Sequence, residues 1–385
     1  MVNGPLWCYF YAMKYVDNEN PMASMRFSCT QVSPNSLIYG TEDDLRKGLS
    51  SIETYAKPER VFVENNCSVS LVGDDVQGIA DQMDLPWPVY AMDSGGMKGS
   101  FEAGYSAASL RIEKEMKTKE KMPASVNVLG LSTVHMKGRE DAEEIRRLLS
   151  LCGIRVISMP GGGSNWEDIM DAPSASLNIV VRDELGLSLA KQMERDFGIP
   201  YMSCGLPYGT DGTMAWLSEI IEKLGAGELT RASHEAAKLK EFLLRKGNNL
   251  ESLWGPLWFD AVLISAPPSE ALGIAETIRS EWIDTARLVI HAQWVTEKTT
   301  PAADAIRVVM KNEKEIAKDY EDWQGGLVLS SSHETHLLRR MGRSFTGFHI
   351  ALPSHDEVHF SDLPQCGLRG AGYLYEQLWN AKLRK

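Results

Sequence analysis

The stretch VFVENNCSVSLVGDD, Val61 to Asp75, decides the fold. Val61-Phe62-Val63 reads as a buried strand that ends in a turn carrying Cys67. A second short apolar run stops at Gly73-Asp74-Asp75, where Asp74 is placed to cap the helix that follows. In an open parallel sheet, ligands sit beyond the carboxyl ends of the strands. Cys67 therefore stands where a cofactor or substrate ligand is expected, on a loop rather than in the core.

Outward from this stretch, strand and helix alternate. Upstream, Gly4-Pro5-Leu6-Trp7-Cys8 is a turn followed by aromatics, and Ser36 to Tyr39 reads as a short strand. Thr41-Glu42-Asp43-Asp44 then caps an amphipathic helix running to about Tyr55. Downstream, a helix is expected from about Asp74 to Met83, a strand at Pro88 to Met92, and a helix from near Gly99. The charged run KEMKTKEKM, Lys114 to Met122, is a solvated helix end and linker. A second unit follows: strand Val126 to Leu131, helix Arg139 to Leu151, strand Ile154 to Ser158, strand Leu177 to Val181, helix Leu185 to Phe197 and a helix from near Gly212. The segment Ala232 to Lys246 is helical and charged. A third unit has strand Ala261 to Ile264, helix Ala302 to Lys318, strand Leu327 to Ser330, helix His333 to Met341, strand Gly347 to Leu352 and a closing helix from about Gly370 to Lys382. Such alternation is the signature of parallel α/β sheets.

Composition narrows the function classes. At 385 residues, with 43% hydrophobic and 24% charged residues, the chain is an ordinary soluble globular protein of two or three domains. A formal net charge of -12 gives no electrostatic support for a nucleic-acid partner. No apolar run of about 18 residues is present, so no membrane span is expected. The apolar start, MVNGPLWCYFYAMKY, lacks a basic leader and reads as mature chain. Six scattered cysteines do not form a secreted disulfide framework, which points to a reducing cytoplasm.

The pieces GPLWC, LIYGTEDDLRKGL and NNCSVSLVGDD, and then the double-glycine turn before a helix with Gly104-Tyr105, come in an ordered series. This series resembles component 1 of the nitrogenase superfamily. GIPY and PYG between Gly198 and Gly209, Ser331-Ser332-His333-Glu334, and a glycine-rich turn before the last helix extend it over nearly the whole chain. The resemblance implies three Rossmann-like α/β domains with parallel sheets flanked by helices, placed at 1–122, 123–255 and 256–385, the first carrying the cluster cysteines. In the family, a GP-x-x-C turn and a C-x-x-x-x-x-G-D-D turn each deliver a cluster-binding thiolate. The matching positions are Cys8 and Cys67.

A four-iron four-sulfur cluster commonly takes four thiolates. The resemblance leads one to expect a further cysteine upstream of GPLWC, and the chain starts too late to hold it. A symmetric dimer placing Cys8 and Cys67 of both chains around one cluster supplies four ligands, and twofold symmetry is the commonest arrangement. Cys29 could instead serve as a third ligand. The family also anchors an iron–molybdenum cofactor, partly through a cysteine after a strand such as LNIVV. Here Arg182 or a neighbour takes that place, and the other anchor falls near Cys366. No iron–molybdenum cofactor is therefore expected, and the tetrapyrrole-reducing or assembly-scaffold branches fit better.

By the same resemblance, electrons would come from a separate ATP-dependent iron-protein. The chain has no GxxxxGKS/T loop and is not itself that nucleotide-hydrolysing partner. The expected function is reduction of a substrate bound between the domains, by a homodimer or a heteromer with a similar subunit. The alternatives are a non-catalytic scaffold or carrier for metallocluster or metallo-tetrapyrrole assembly, and a cluster-free binding protein that kept the fold.

The remaining candidates are weighed on their own chemistry. Cys152, at the apolar end of a helix, reads as core, and Cys204 in PYMSCGLPYG is expected to face a cleft. His355, His359, Cys366 and Arg369 are candidates to line a cavity for an anionic substrate. His349, His355 and His359 lie across a strand and a loop, a spacing that does not define a zinc centre. The glycines at Gly161 to Gly163 lack the G-x-G-x-x-G order, so NAD is not expected.

Overall fold

The computed structural model describes residues 1–20, 23–92, 95–292, 306–308 and 313–384. Two compact units make up the chain, Met1–Glu115 and Met116–Lys385.

The first unit contains β1 (Val2–Asn3), α1 (Leu6–Glu19), α2 (Ser36–Tyr39), α3 (Glu42–Tyr55), β2 (Val61–Asn65), α4 (Cys67–Val72), α5 (Val76–Asp81), β3 (Val89–Met92) and α6 (Phe101–Glu113). Its sheet runs β1-β2-β3, parallel throughout, with Val2 opposite Glu64 and Val61 opposite Val89. Leu45, Leu49 and Ile52 recur at helical spacing on α3, so one stripe faces inward. They pack on Val61, Val63, Val76, Ile79, Trp87 and Val89. Glu42, Asp43 and Asp44 sit in the first turn of α3, where the helix dipole favours negative charge.

Three local expectations change here. Ser36 to Tyr39 is a helical turn rather than a strand. The Ser33 hydroxyl accepts the Ser36 N–H at 3.2 Å and the Ser33 carbonyl accepts that of Leu37, which starts a turn. Cys67, expected on a loop, is the first residue of the helix α4, which holds the apolar run and is capped by Asn66. Asp75, not Asp74, caps α5, accepting from Gly78 N–H at 3.0 Å. Asp74 instead accepts from the backbone N–H (2.6 Å) and hydroxyl (2.8 Å) of Thr41, tying the start of α3 to the loop after α4.

The second unit holds β4 (Ser125–Leu129), α7 (Gly138–Leu151), β5 (Arg155–Ser158), α8 (Trp166–Asp171), β6 (Leu177–Val180), α9 (Asp183–Phe197), β7 (Tyr201–Ser203), α10 (Thr210–Leu224) and α11 (Thr230–Trp254). It continues with β8 (Trp258–Ala266), α12 (Pro268–Thr277), β9 (Asp284–Ala292), β10 (Ile306–Val308), α13 (Glu313–Glu321), β11 (Leu327–Ser330), α14 (Ser332–Arg340), β12 (Thr346–His349) and α15 (Gly367–Leu383). Two parallel sheets result, β5-β4-β6-β7 and β10-β9-β8-β11-β12. One apolar core runs through both, from Val126 and Ile179 to Ile264, Leu329 and Leu378. The expected helix Ala302 to Lys318 is corrected: Ile306–Val308 is an edge strand and the helix starts at Glu313, while 302–305 and 309–312 lie outside the described residues. Among the described residues, no helix is long and apolar enough to cross a membrane.

Candidate functional site

Cys8, Cys29 and Cys67 come to the carboxyl edge of the first sheet. The chain leaves β1 through Gly4-Pro5 and enters α1, whose third residue is Cys8. Residue 29 pairs with Val2 in an isolated parallel bridge, so Cys29 borders β1. Cys67 is the first residue of α4, immediately beyond β2. Gly4 is needed for close approach: a Cβ there would lie 2.6 Å from the Asn66 side chain. A Cβ on Gly96, in the loop after β3, would lie 3.2 Å from Cys67 Sγ.

Asn66 ties the site together. Its Oδ1 accepts from Val69 N–H at 3.0 Å, which caps α4. Its Nδ2 donates to Cys8 Sγ at 3.2 Å. Its backbone N–H donates to the Asn3 carbonyl at 3.1 Å, and Asn3 Nδ2 donates to Asn65 Oδ1 at 3.0 Å. Cys29 Sγ reaches the Gly4 carbonyl at 3.3 Å, and burial pushes its thiol above the ordinary range. Cys8 and Cys67 are exposed, whereas Cys29 is half-buried.

The surroundings of these thiols are apolar. Trp7 is 69% exposed, Phe10 54% and Tyr11 57%. They contact one another, Trp7 stacking on Tyr11 at 6.2 Å and Phe10 standing edge-on to both. Leu71, Met97 and Phe101 are also exposed. Exposed aromatics in mutual contact, as on α1, are a feature of interaction faces.

The four candidates in the second unit stand in different settings. Cys366 is the N-cap of α15 and fully buried; its thiol reaches the Asp141 carbonyl, and burial pushes it well above the usual range. Arg369 is exposed beside Glu144 at 3.7 Å. The His355 N–H donates to Ser332 Oγ at 2.5 Å, and His359 Nε2 lies 3.2 Å from Ser354 Oγ. Ser331 and Glu334 form a capping box at the start of α14, so that motif has a structural use.

A cleft of about 510 Å³ lies elsewhere, between α10 and α12, and Cys204 lines it. Asp183, Glu219, Glu276 and Glu281 make it acidic. Glu281 already occupies the start of α10, accepting from Thr210 N–H at 2.7 Å and Gly212 N–H at 2.9 Å. The positive helix end that an anion would use is thus taken. An anionic substrate finds no charge complement there.

The buried charge network around Arg182 escapes sequence reading. Arg182 donates to Glu270 Oε1 from Nε (2.8 Å) and Nη2 (2.5 Å), and Asp141 lies 4.0 Å away. His135 is 3.5 Å from the same Glu270 oxygen. Burial alone would raise Glu270; Arg182 and His135 outweigh it and hold the carboxyl down to about 2. For Asp141, burial wins over Arg182 and the N–H donors of Cys366 and Gln365, and its carboxyl rises to about 6. An acid raised in the folded state contributes stability below its unfolded pKa of about 3.9 and loses it as pH rises toward 6. Glu270 works oppositely, losing stability as pH falls below about 4.5 toward 2. Asp141→Asn is expected to remove a loss of about 3 kcal/mol between pH 4 and 6. Denaturant unfolding at stepped pH measures it, and an unchanged slope rules the assignment out.

Comparison with known proteins agrees with this architecture. The family model for nitrogenase component 1 type oxidoreductases matches residues 1–383. The nitrogenase iron-molybdenum cofactor biosynthesis protein NifE of Clostridium pasteurianum is 29% identical over 259 residues, 66% of this chain and 54% of that protein. One of the subunits of the light-independent protochlorophyllide reductase of Chloroherpeton thalassium is 23% identical over 373 residues, 92% of this chain and 69% of the relative. The chain thus spans about half the length of the first relative and about two thirds of the second. Among solved structures, "Nitrogenase Cp1 at pH 6.5" superposes with a TM-score of 0.75 at 17% identity, covering 100% of this chain and 88% of its own. Three parallel sheets and a family match over nearly every residue settle the assignment: the chain belongs to the nitrogenase component 1 type oxidoreductases.

Proposed function

We propose that the chain is the cluster-bearing subunit of a nitrogenase-like oxidoreductase. Cys8 and Cys67 hold a four-iron four-sulfur cluster jointly with the thiolates of a second subunit, either another copy or a similar chain. The observation that carries this reading is the pair of solvent-facing thiols at the carboxyl edge of a parallel sheet, with exposed Trp7, Phe10 and Tyr11 on the helix that carries Cys8. Soft anionic sulfur suits iron, and the exposed position leaves room for an inorganic core wider than a single ion. When bound, the cluster supplies one-electron storage and transfer.

The chain's own residues tune that site. Asn66 donates to the Cys8 sulfur and withdraws charge from it, which favours the reduced state. Cys29 is the weaker ligand, because burial holds it as the neutral thiol while ligation needs the thiolate. Trp7, Phe10 and Tyr11 give the second subunit an apolar surface to cover and so exclude water from the sulfur. The electron donor is a separate ATP-dependent iron-protein, as the family resemblance implies. Arg182 is engaged by Glu270 and Cys366 is sealed in the core, which supports a reading without the iron–molybdenum cofactor. A tetrapyrrole-reducing activity fits better.

The likeness to NifE favours a second reading, an assembly scaffold or carrier. Anaerobic purification tests the cluster, with about two irons and two sulfides per protomer expected in a dimer by native mass. A colourless, iron-free monomer would leave only the fold. Turnover with an iron-protein and ATP then separates enzyme from scaffold.

A further inference from the structure

A second cluster of ligating groups lies far from the thiols in sequence, where β12 ends and the chain doubles back. His349 is the last residue of β12, and its side chain is 1% exposed. Its Nδ1 lies 2.8 Å from Ser354 Oγ and 3.9 Å from Glu357 Oε2. His359 Nε2 faces the same Ser354 oxygen at 3.2 Å and the same Glu357 oxygen at 3.9 Å. Glu357 is fixed in turn by the His349 backbone N–H, which donates to its Oε2 at 2.9 Å. Two imidazole nitrogens and one carboxylate oxygen therefore lie within 4.8 Å of one another, and no other such trio occurs among the described residues. The eight-residue loop back from Glu357, invisible as a spacing rule, is what gathers them.

A second, independent observation concerns the far side of the His349 ring. Its Nε2 lies 3.4 Å from Asp356 Oδ1 and 3.4 Å from Thr335 Oγ1. Asp356 is itself held by the Ser332 hydroxyl at 2.9 Å and by Arg339. A histidine that ligates a metal through one nitrogen usually gives its other N–H to a carboxylate, which fixes the tautomer and strengthens the ligand. His349 has such a carboxylate beside its Nε2, which Thr335 Oγ1 also reaches. Its Nδ1 is left to face the Glu357 and His359 side.

We propose that His349, Glu357 and His359 form a mononuclear site for a divalent transition-metal cation, with Asp356 orienting His349 from behind. Imidazole and carboxylate are the borderline and hard donors that such cations accept, and two histidines with one carboxylate leave positions open to water. Bonds of about 2.0–2.1 Å need donor atoms roughly 1 Å closer than they stand, a movement within reach of side chains on a loop. Ser354, set between the imidazoles, either remains as a further oxygen ligand or yields to water. Lys137 is a positive charge facing His359, and its ammonium is engaged by the Ser361 carbonyl. The site shares no residue with the thiol edge, so it stands or falls apart from the proposed cluster.

Titration of the chelator-treated, full-length chain with cobalt(II) alone tests it. One equivalent should bind with visible d–d absorption and without the near-ultraviolet charge transfer that thiolate ligation produces. Binding should persist in a Cys8→Ala/Cys67→Ala variant and fall at least tenfold in Glu357→Gln and His359→Gln, both partly exposed positions where folding is checked by circular dichroism. Asp356→Asn should weaken it about 10–100-fold. Unchanged affinity in the folded Glu357 and His359 variants overturns the site. So does cobalt bound only with thiolate charge transfer, or no stoichiometric binding at micromolar concentrations.

Discussion

Cys8→Ala and Cys67→Ala are each expected to strip the protein of iron. In a cluster shared across a twofold axis, one substitution removes two of four thiolates, because both copies carry it. Two remaining ligands do not hold a cubane, so iron should drop from about two per protomer to near zero. The fold should survive, since both side chains are exposed and neither belongs to the apolar core of the first unit. Cys29→Ala should act more mildly, as its thiol is half-buried and already engaged with the Gly4 carbonyl. Anaerobic iron and sulfide analysis with circular dichroism as the control measures all three. Full iron in the Cys8 and Cys67 variants would refute the ligand assignment.

Glu270→Ala is expected to cost about 3–5 kcal/mol, the largest stability effect foreseen for the second unit. It strands the Arg182 guanidinium, which is wholly buried, with the Gly130 carbonyl at 3.3 Å and Asp141 at 4.0 Å. Arg182→Met should cost a similar amount by leaving Glu270 to His135 alone. Removing both charges, in Arg182→Met/Glu270→Leu, should recover most of the loss, because an apolar pair pays no desolvation penalty. Denaturant midpoints of the parent and these three variants measure the losses and the recovery. Single variants within 1 kcal/mol of the parent would show that water reaches the pair.

The architecture was legible where strands are buried on both faces. Val126 to Leu129, Leu177 to Val180 and Leu327 to Ser330 are wholly buried, and such strands read as near-continuous apolar runs, interrupted here by Asn127 and Asn178, whose amides pair at 2.8 Å. β9 was not, because its first half, Asp284-Thr285-Ala286-Arg287, is polar and partly exposed. α1 was hidden for a different reason. Its aromatics face outward, so its pattern does not point to any core within its own unit. α4 is too short to display a helical period.

At the proposed site, the thiols were read from an ordered motif and the Asn66 donor was not, since an asparagine before a cysteine reads only as a turn. Arg182 and Glu270 meet across 88 residues, a separation no local pattern spans. His349, Glu357 and His359 were close enough in sequence to notice. Only the reversal of the chain after β12 makes them neighbours.

Asn66 divides its amide between two tasks: the oxygen starts a helix and the nitrogen serves a sulfur. Aspartate would perform the first as well as asparagine and could not perform the second. Screens that score folding alone are therefore blind to this exchange, and a library sorted for thermal robustness would let it pass. The electronic character of the thiol edge is, at this one residue, uncoupled from the durability of the scaffold beneath it.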